Sequence, residues 1–466
     1  MSRLVVVSNR VHSRQPQDKA GGLAVAIKSA LAECGGLWFG WSGQIKENPD
    51  TGPALQHGGL FSIATLDLSG REFSGYYEEF SNRTLWPLFH GRLDLCRPDS
   101  DAYGIYRQVN RRFAEALRSL LRPTDMIWVQ DYHLIPLGQE LRHLGVTAPI
   151  GFFLHIPFPH RDEIAALPFC HELLLSFLAY DLVGFQTPNC VANFQGTAGR
   201  FLEGTIRQDR TVASHGRSVA VEAFPVGIDT QAFRKMAGSP KVRRRCNHLR
   251  ARMGGRKWVC GVERLDYTKG IAERFSAFEV LLDSAPELHN HVTLVQIAAP
   301  SRQSVPEYRE LQNRLEFLSG RINGRFSTLD WTPIRYLNRT LGQEQLAALY
   351  RASRVGLVMP LRDGMNLVAK EYVAAQDPGD PGVLVLSKFA GAAQELTDAV
   401  IVNPYEIGAI ARSLKDALRM PFAEREARWE KMIRHLEHYD IERWRRSFVD
   451  RLAACSSLSD PLVEAS

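Results

Sequence analysis

Short apolar runs of strand length alternate along this chain with stretches in which apolar residues recur at helical spacing. The runs at 126–130 and 292–297 are of the first kind, and the stretch at 271–282 is of the second. Apolar runs bounded by turn residues predict buried strands, and a repeat of three to four residues predicts amphipathic helices. The pattern therefore predicts an α/β fold with parallel sheets that carry helices on both faces.

Polar residues follow three consecutive apolar runs in the first half of the chain: Asp131, His155 and Gln186. Ligands of parallel sheets bind beyond the carboxyl ends of the strands. A single histidine after a strand is more often structural, but an Asp and a His at matched positions on neighbouring strands favour a binding site. Arg10 follows the apolar run at 4–7 and adds a cation to the same half.

The segment 221–227 has the character of a junction, because Pro225 and Gly227 punctuate it and a basic helical stretch follows. We therefore predict an N-terminal domain over 1–226 and a C-terminal domain over 227–440. The amphipathic helix predicted at 441–455 is expected to return to the first domain.

The stretch 355–376 predicts a strand, a turn and a helix in succession. Pro360 ends the apolar run, Asp363 opens the turn, and Asn366 is a candidate helix N-cap. Free N–H groups at the start of that helix would seat a phosphate, and Glu371 could accept hydrogen bonds from ribose hydroxyls. The alternative is an ordinary βα unit whose carboxylates are solvated.

Two cations, Arg264 and Lys269, flank the strand-to-helix turn that follows the apolar run 258–262. Arginine offers phosphate a planar fork and lysine offers it a point charge. This spacing suits a diphosphate, although two basic residues at one turn are often salt-bridge partners instead.

Length and composition indicate two or three globular domains without a signal peptide or membrane span. The chain has 466 residues, of which 45% are hydrophobic and 23% charged, with a net charge of +6. The densest basic run, 241–257, contains no aromatic residue, so we interpret it as a solvated helix rather than a nucleic-acid surface. We expect no nucleic-acid or membrane partner.

Metal and disulfide chemistry are not predicted. The seven cysteines are scattered without a C-x-x-C pair, which favours reduced thiols and a cytoplasmic protein. The acidic pair Asp99 and Asp101 could hold a metal bound to a nucleotide sugar, but it follows Arg-Pro rather than a strand, so an ordinary loop is favoured.

Several longer motifs resemble the trehalose-6-phosphate synthases, over roughly residues 1 to 450. They are Ser-Asn-Arg at 8–10, Ala-Gly-Gly-Leu at 20–23, Gly-Leu-Trp-Phe-Gly-Trp-Ser-Gly at 36–43, Leu-Trp-Pro-Leu-Phe-His at 85–90, Asp-Tyr-His at 131–133, Gly-Phe-Phe-Leu-His-Ile-Pro-Phe-Pro at 151–159, Val-Glu-Arg-Leu-Asp-Tyr-Thr-Lys-Gly at 262–270 and Leu-Arg-Asp-Gly-Met-Asn-Leu-Val-Ala-Lys-Glu-Tyr at 361–372.

The resemblance implies a GT-B architecture, in which two Rossmann-like doubly wound parallel-sheet domains face a central cleft. It implies a retaining glucosyltransferase that moves glucose from UDP-glucose to glucose-6-phosphate, without a metal or other cofactor. It also implies that the departing phosphate oxygen takes the acceptor proton on the same face of the sugar, with no protein nucleophile.

The resemblance also assigns roles to individual residues. Catalytic roles fall on His155, Asp363, Arg264 and Lys269. Donor binding falls on Gly21, Gly22, Arg264, Lys269, Leu341, Asn366, Leu367, Val368, Ala369, Lys370 and Glu371. Acceptor binding falls on Arg10, Tyr77, Trp86, Asp131 and Arg302.

Three other functions stay open at this point. A relative could use another phosphorylated acceptor such as glycerol-3-phosphate, a nucleotide-sugar epimerase could use the same fold, and a non-enzymatic module could bind the ligands without turnover. The choice among UDP, GDP and ADP donors, the oligomeric state (a dimer or tetramer among the options) and regulation are likewise open.

Overall fold

The computed structural model describes residues 3–11, 27, 31 and 35–456, and these form two compact units. The first unit contains the described residues up to Pro225 and those from Glu442 onward, and the second contains Val226–Ile441. The described part of the chain contains no helix that is both long enough and apolar enough to cross a membrane.

Within the described residues, ten strands form the sheet of the first unit. In chain order they are β1 (Leu4–Arg10), β2 (Leu37–Ile45), β3 (Ala54–Gln56), β4 (Ser62–Leu68), β5 (Met126–Gln130), β6 (Ile150–Phe153), β7 (Leu182–Phe185), β8 (Thr205–Ile206), β9 (Val212–Ser214) and β10 (Arg217–Ala223).

The spatial order of that sheet is β3-β4-β2-β1-β5-β6-β7-β10-β9-β8. Neighbours from β4 to β10 are parallel, while β3, β8 and β9 add antiparallel pairs at the two edges. All five residues of β5 are buried, as expected for a strand covered on both faces. The strand order reverses between β1 and β5, where a doubly wound sheet binds its ligand.

The helical segments of the first unit cover both faces of this sheet. They are Gly70–Glu72, Phe73–Leu85, Trp86–Phe89, Leu93–Leu95, Ser100–Arg118, Tyr132–Leu134, Leu137–His143, Arg161–Ile164, Cys170–Phe177, Pro188–Phe201 and Ile441–Ser456.

The helix Ser100–Arg118 explains the acidic pair that the sequence offered as a metal motif. Asp99 is its N-cap, and its carboxylate accepts a hydrogen bond from the backbone N–H of Ala102 at 2.7 Å. Such caps satisfy amide groups that have no partner within the helix. The pair therefore marks the start of a helix, where the sequence had favoured an ordinary loop.

The segment Phe73–Leu85 is a π-helix of 13 residues that continues directly into the helix Trp86–Phe89. The backbone N–H of Trp86 bonds to the carbonyl of Ser81, five residues earlier. π-Helical turns are rare, are mostly single turns and are frequent at functional sites. This one carries Tyr77 and delivers Trp86, two of the predicted acceptor residues.

The terminal helix Ile441–Ser456 packs its apolar side chains on the first unit's sheet. The ring of Phe448 stacks on Trp128 of β5 at 4.8 Å, and Trp444 lies 4.9 Å from the same indole. A Cβ atom built on Gly151 would lie 2.8 Å from the Phe448 ring. The glycine therefore makes room for the helix.

The second unit contains a fully parallel sheet of six strands within the described ranges. They are β11 (Lys257–Arg264), β12 (Val292–Ala299), β13 (Ile334–Leu337), β14 (Val355–Val358), β15 (Val383–Ser387) and β16 (Val400–Val402). Their spatial order is β13-β12-β11-β14-β15-β16, the 3-2-1-4-5-6 order of dinucleotide-binding sheets, with its reversal between β11 and β14.

Helices cover both faces of the second sheet as well. They are Thr230–Ala237, Pro240–Met253, Tyr267–Lys269, Ile271–Ser284, Pro286–Leu288, Pro306–Phe326, Gln343–Ala352, Leu367–Ala375, Gly391–Gln394, Ile407–Arg419 and Phe422–His438. The helix Ile271–Ser284 buries Phe275, Phe278 and Leu281 in the core beneath β11 and β12. This core fixes the helix whose start follows Lys269.

Candidate functional site

The two turns at the strand-order reversal of the second unit are locked together. The backbone N–H of Leu361, after β14, donates to the carbonyl of Thr268, after β11, at 2.8 Å. Gly270 has φ +63°, and a Cβ atom there would lie 2.1 Å from the carbonyl oxygen of Met359. Only glycine permits this approach, so the sequence of the first turn fixes its distance from the second.

An ion pair completes this junction. The ammonium of Lys269 lies 2.5 Å from Asp363 Oδ2, and the two side chains are only 10% and 13% exposed. Asn366 Nδ2 donates to the same carboxylate oxygen at 3.1 Å. The structure therefore brings two of the predicted donor-binding residues, Lys269 and Asn366, into one hydrogen-bonded cluster with Asp363, which was predicted to be catalytic.

The helix Leu367–Ala375 begins at this cluster with an open first turn. Asn366 occupies the N-cap position that the sequence predicted, but its backbone is left-handed, with φ +76°, and its side chain makes no capping bond to the helix. The amide donates to Asp363 instead. The first backbone N–H groups, from Leu367 onward, are thus uncapped by that side chain and suited to an anion.

A buried carboxylate, Asp266, lies beneath the cations of the first turn. It accepts hydrogen bonds from the backbone N–H and hydroxyl of Thr268 at 3.0 and 2.9 Å, and Arg302 approaches it to 3.6 Å. Burial alone would raise the pKa of Asp266, but the positive charges of Arg302, Arg264 and Lys269 outweigh it and hold the pKa below its ordinary value. Asp266 therefore stays ionised and orients these cations.

The side chain of Arg302, which was predicted to bind phosphate, is held in place by contacts within the protein. Its guanidinium donates to the hydroxyl of Tyr308 at 2.5 Å, its side chain is 6% exposed, and its backbone has φ +47°. Tyr308 in turn donates to Asp266 at 3.3 Å. Arg302 thus lies in the same cluster as Arg264, at the carboxyl edge of β11 and β12.

Glu371 lies one turn into the helix and shares its environment with a second acid. The hydroxyl of Tyr350 donates to Glu371 Oε2 at 3.4 Å. Burial, with a smaller contribution from the nearby Glu263, raises the pKa of Glu371 to about 7, although the hydrogen bond from Tyr350 lowers it in part. Its ionisation therefore changes within the neutral pH range.

Glu263 itself forms an ion pair with the buried Arg274. It accepts from Arg274 at 3.3 Å, and Arg274 also donates to Gln296 Oε1 at 2.6 Å. Glu263 and Arg274 are 3% and 0% exposed, so they stabilise the floor of the site rather than contact solvent. This pair could not be predicted from the apolar pattern, since its partners lie in different elements.

The side chain of Lys370, predicted to bind the donor, points elsewhere. Its fully buried ammonium donates to Glu395 at 2.6 Å and to the carbonyl of Val226 at 2.7 Å. A buried cation needs such partners because desolvation is costly. The ammonium is therefore occupied within the second unit, and the predicted donor contact of Lys370 stays a prediction for its backbone N–H.

At the carboxyl edge of the first unit's sheet, directly after β5, Asp131 has a strained backbone conformation. Its backbone has φ +74° and ψ +166°, a region that is accessible to glycine and costs other residues about 1 to 3 kcal/mol. The carboxylate accepts a hydrogen bond from the backbone N–H of His155 at 3.2 Å. The structure thus joins the two residues that the sequence placed on neighbouring strands.

The ring of His155 is held neutral. Burial lowers the pKa of the imidazole to about 3, and its Nε2 atom lies 2.8 Å from Gln130 Oε1. In that arrangement Nε2 carries the proton and donates to the amide oxygen, which leaves Nδ1 as a hydrogen-bond acceptor. Gln186, the third residue expected at this edge, is buried after β7.

An aromatic surface lies beside Arg10 at the same edge. The Arg10 guanidinium lies over the ring of Trp41 at 5.7 Å, and the ring of Tyr77 is 6.1 Å from Trp41. Tyr77 stacks on His133 at 5.8 Å. Trp41, which the sequence left without a role, therefore positions the predicted phosphate-binding arginine.

Trp86 is buried rather than displayed. Its ring lies 4.2 Å from His90 and 5.8 Å from Tyr132, and the side chain is 4% exposed.

Leu341 is partly exposed in the loop before the helix Gln343–Ala352. The predicted residues Gly21 and Gly22 lie outside the described residues. Within the described ranges, no group of three or more metal-ligating side chains occurs.

The chain is similar to known proteins over nearly its whole length. The family model of glycosyltransferase family 20 matches residues 3–454. The trehalose-6-phosphate synthase of Klebsiella pneumoniae is 46% identical over 463 residues, which cover 99% of this chain and 97% of the relative. These matches extend over both units.

Solved structures agree with the sequence matches. The UDP-forming α,α-trehalose-phosphate synthase of Burkholderia vietnamiensis is 49% identical with a TM-score of 0.95, covering 99% of each chain. That of Burkholderia xenovorans, in complex with glucose-6-phosphate, is 45% identical with a TM-score of 0.93, covering 97% of this chain and 100% of the other. The E. coli protein bound with UDP-2-fluoro glucose has the same identity and TM-score, covering 97% and 99%.

The strain at Asp131 predicts an unusual order of stability between two variants. Asp131→Gly and Asp131→Ala both remove the carboxylate, but only glycine accepts the backbone conformation without strain. We expect the glycine variant to be more stable by about 1 kcal/mol, measured by urea unfolding. An alanine variant of equal or higher stability would show that the backbone is not strained in solution.

Proposed function

Because the chain belongs to glycosyltransferase family 20, we propose that it transfers glucose from UDP-glucose to glucose-6-phosphate, releasing UDP and α,α-trehalose 6-phosphate. It is a GT-B enzyme of trehalose biosynthesis. The observation that carries the proposal is the cluster of Arg264, Lys269 and Asp363 at the strand-order reversal of a dinucleotide-type sheet. Relatives with nearly half of their residues identical bind glucose-6-phosphate and a UDP-glucose analogue.

We assign the donor to the second unit. Arg264 and Lys269 bind the diphosphate, assisted by backbone amides from Asn366 to Lys370 at the open helix start. Glu371 accepts from the ribose hydroxyls and Leu341 lies against the uracil, while Gly21 and Gly22 stay predicted donor contacts. The buried Asp266 supports this assignment, because its negative charge attracts Arg264 and Lys269 and orients them before a phosphate binds.

We assign the acceptor and the transferred sugar to the remaining residues. Arg10, Tyr77 and Arg302 bind the phosphate of glucose-6-phosphate, Asp131 binds its hydroxyls, and Trp86 supports its ring. Trp86 acts through packing, because its indole is buried against His90. Asp363 and the acceptor nitrogen of neutral His155 bind hydroxyls of the transferred glucose.

The reaction breaks the bond between the anomeric carbon and the diphosphate oxygen, and the electron pair leaves with UDP. Arg264, Lys269 and the helix start stabilise the negative charge that develops there. The acceptor hydroxyl attacks the same face, and its proton passes to the departing phosphate oxygen. Configuration at the anomeric carbon is therefore retained without a protein nucleophile.

Donor choice, cofactor, compartment and assembly complete the proposal. We propose UDP over GDP and ADP, and catalysis without a metal, since cations of the chain take the metal's electrostatic role.

The six cysteines within the described ranges are free thiols, which supports a reducing, cytoplasmic compartment. A homo-oligomer, dimer or tetramer, stays a prediction for solution scattering to test.

An assay that crosses donors with acceptors tests the function. UDP-, GDP- and ADP-glucose are each incubated with glucose-6-phosphate or glycerol-3-phosphate, with and without chelator, and products are identified by mass and NMR. We expect trehalose 6-phosphate from UDP-glucose and glucose-6-phosphate at a rate that chelator leaves unchanged. A product from glycerol-3-phosphate alone, or epimerised donor, would replace the proposal with one of its rivals.

Replacing the cation nearest the leaving group should affect turnover more than binding. We expect Arg264→Ala to lower kcat at least about 100-fold, as for the loss of one donor that meets charge in the transition state. Arg243→Ala, an exposed arginine of the helix Pro240–Met253, serves as the control. A near-normal rate for Arg264→Ala would remove it from the mechanism.

The ionisation of Glu371 predicts a pH-dependent donor affinity. The carboxyl is protonated below its pKa of about 7, and the ionised form accepts stronger hydrogen bonds from ribose. The KM for UDP-glucose should therefore fall about tenfold between about pH 6 and about pH 8.

The variant Glu371→Gln keeps the size of the side chain but cannot ionise. It should bind UDP-glucose more weakly, with a KM that is higher and nearly independent of pH. The same pH dependence in this variant would assign the titration to a different group.

A further inference from the structure

A cavity of about 270 Å³ lies at the amino-terminal edge of the second unit's sheet, opposite the edge that carries Arg264 and Asp363. Its lining includes Lys257, the first residue of β11, and Arg354, which directly precedes β14. β11 has eight residues and therefore spans about 26 Å. The cavity is thus separated from the proposed donor site by the length of the sheet.

Positive charge dominates this cavity. Five cationic residues line it: Arg250, Arg256, Lys257, Arg351 and Arg354. A sixth, Arg425, binds Asp380, the carboxylate that Arg354 also binds, at 2.8 and 2.9 Å respectively. The other carboxylate is Asp377, 2.8 Å from Arg351. Six cations therefore face two carboxylates, a surplus of four positive charges.

Among the residues that the structure describes, the partners of three of the cations are neutral oxygens only. Arg250 donates to the carbonyl of Arg351 at 3.2 Å and Lys257 to the carbonyl of Leu418 at 2.7 Å. Arg256 donates to Asn290 and to backbone carbonyls, including that of Met253. Their charges are therefore not neutralised by a carboxylate contact.

Helix dipoles account for part of the surplus. The acceptor carbonyls include Met253, Arg351, Ala375 and Leu418, which lie in the last turns of four helices. Each helix end carries about half a negative charge, so the four together offset about two of the four positive charges. A net charge of about +2 is left in the cavity.

The surplus of positive charge affects the pKa of a lysine that lines the cavity. Burial lowers the pKa of the Lys257 ammonium, and the neighbouring cations Arg354 and Arg419 lower it further. Cations held near one another in this way gain free energy when a dianion binds between them. The basic run 241–257, which the reaction does not use, supplies three of the five lining cations: Arg250, Arg256 and Lys257.

We propose that this cavity binds a small phosphate-bearing anion at a site separate from the nucleotide-sugar site. Arginine forks match the geometry of phosphate oxygens, and the volume falls just below the range of drug-sized ligand pockets, which suits a pyrophosphate or a small phosphate ester. Duplex or single-stranded nucleic acid is disfavoured because the cations converge on a cavity rather than form an extended stripe.

Calorimetric titration with inorganic pyrophosphate tests the proposal. UDP and glucose-6-phosphate are first titrated alone to establish their own binding, and both are then kept at saturating concentrations so that the proposed substrate sites are filled. We expect one further pyrophosphate per chain. Arg250→Gln combined with Lys257→Gln should weaken its Kd at least about tenfold, because two charge-assisted bonds are lost.

A matched control lies on the same helix as Arg250. Arg243→Gln combined with Arg244→Gln removes the same charge from exposed positions that do not line the cavity, and should change Kd by less than about twofold because distant surface charges are screened. No heat with the unaltered chain, or equal weakening by both double variants, would overturn the proposal. If the first double variant unfolds, Arg250→Gln alone serves the same comparison.

Discussion

The ion pair between Lys269 and Asp363 is the contact on which the arrangement of the second unit's site depends. Its partners lie 94 residues apart and follow the two strands between which the sheet order reverses. The close approach of Gly270 to the Met359 carbonyl sets the distance that the pair spans. A largely buried pair of this kind is costly to desolvate, so its value lies in holding charges in place before a ligand binds.

The first unit solves the same problem with backbone strain and aromatic packing. Its sheet also reverses its order, between β1 and β5, and Arg10 and Asp131 lie at the ends of those strands. The bond from the His155 backbone to Asp131 and the stack of Trp41 under Arg10 hold the two residues in place. Rigid positions for polar groups reduce what substrate binding must reorganise.

Much of this architecture could be predicted from the sequence. The fold class and the family are confirmed, and the strand at Met126–Gln130 has the predicted bounds. Residues that follow strands could be placed together because parallel strands end at one edge of a sheet. By contrast, the start of the helix Ser100–Arg118 could not be predicted, because Asp99 provides a cap that the apolar pattern did not reveal.

Contacts between distant side chains were harder to predict. Asp266 carries a local signal, since an Asp two residues before a Thr often forms a turn of this kind, but its contact with Tyr308 depends on packing across 42 residues. Lys370 was placed with its neighbours Ala369 and Glu371, yet successive residues of a helix do not face the same side. Periodicity shows which face is apolar and does not show which buried carboxylate lies behind it.

The return of the terminal helix to the first unit has a consequence for biosynthesis. The helix that covers Trp128 and Gly151 is translated only after the 216 residues of Val226–Ile441, which takes about 10 to 40 s at ribosomal speeds. Throughout that interval an apolar face of the nascent first sheet lacks its cover. The first unit therefore completes its fold only after the second unit has been translated, and its uncovered apolar face is a natural substrate for a chaperone until then.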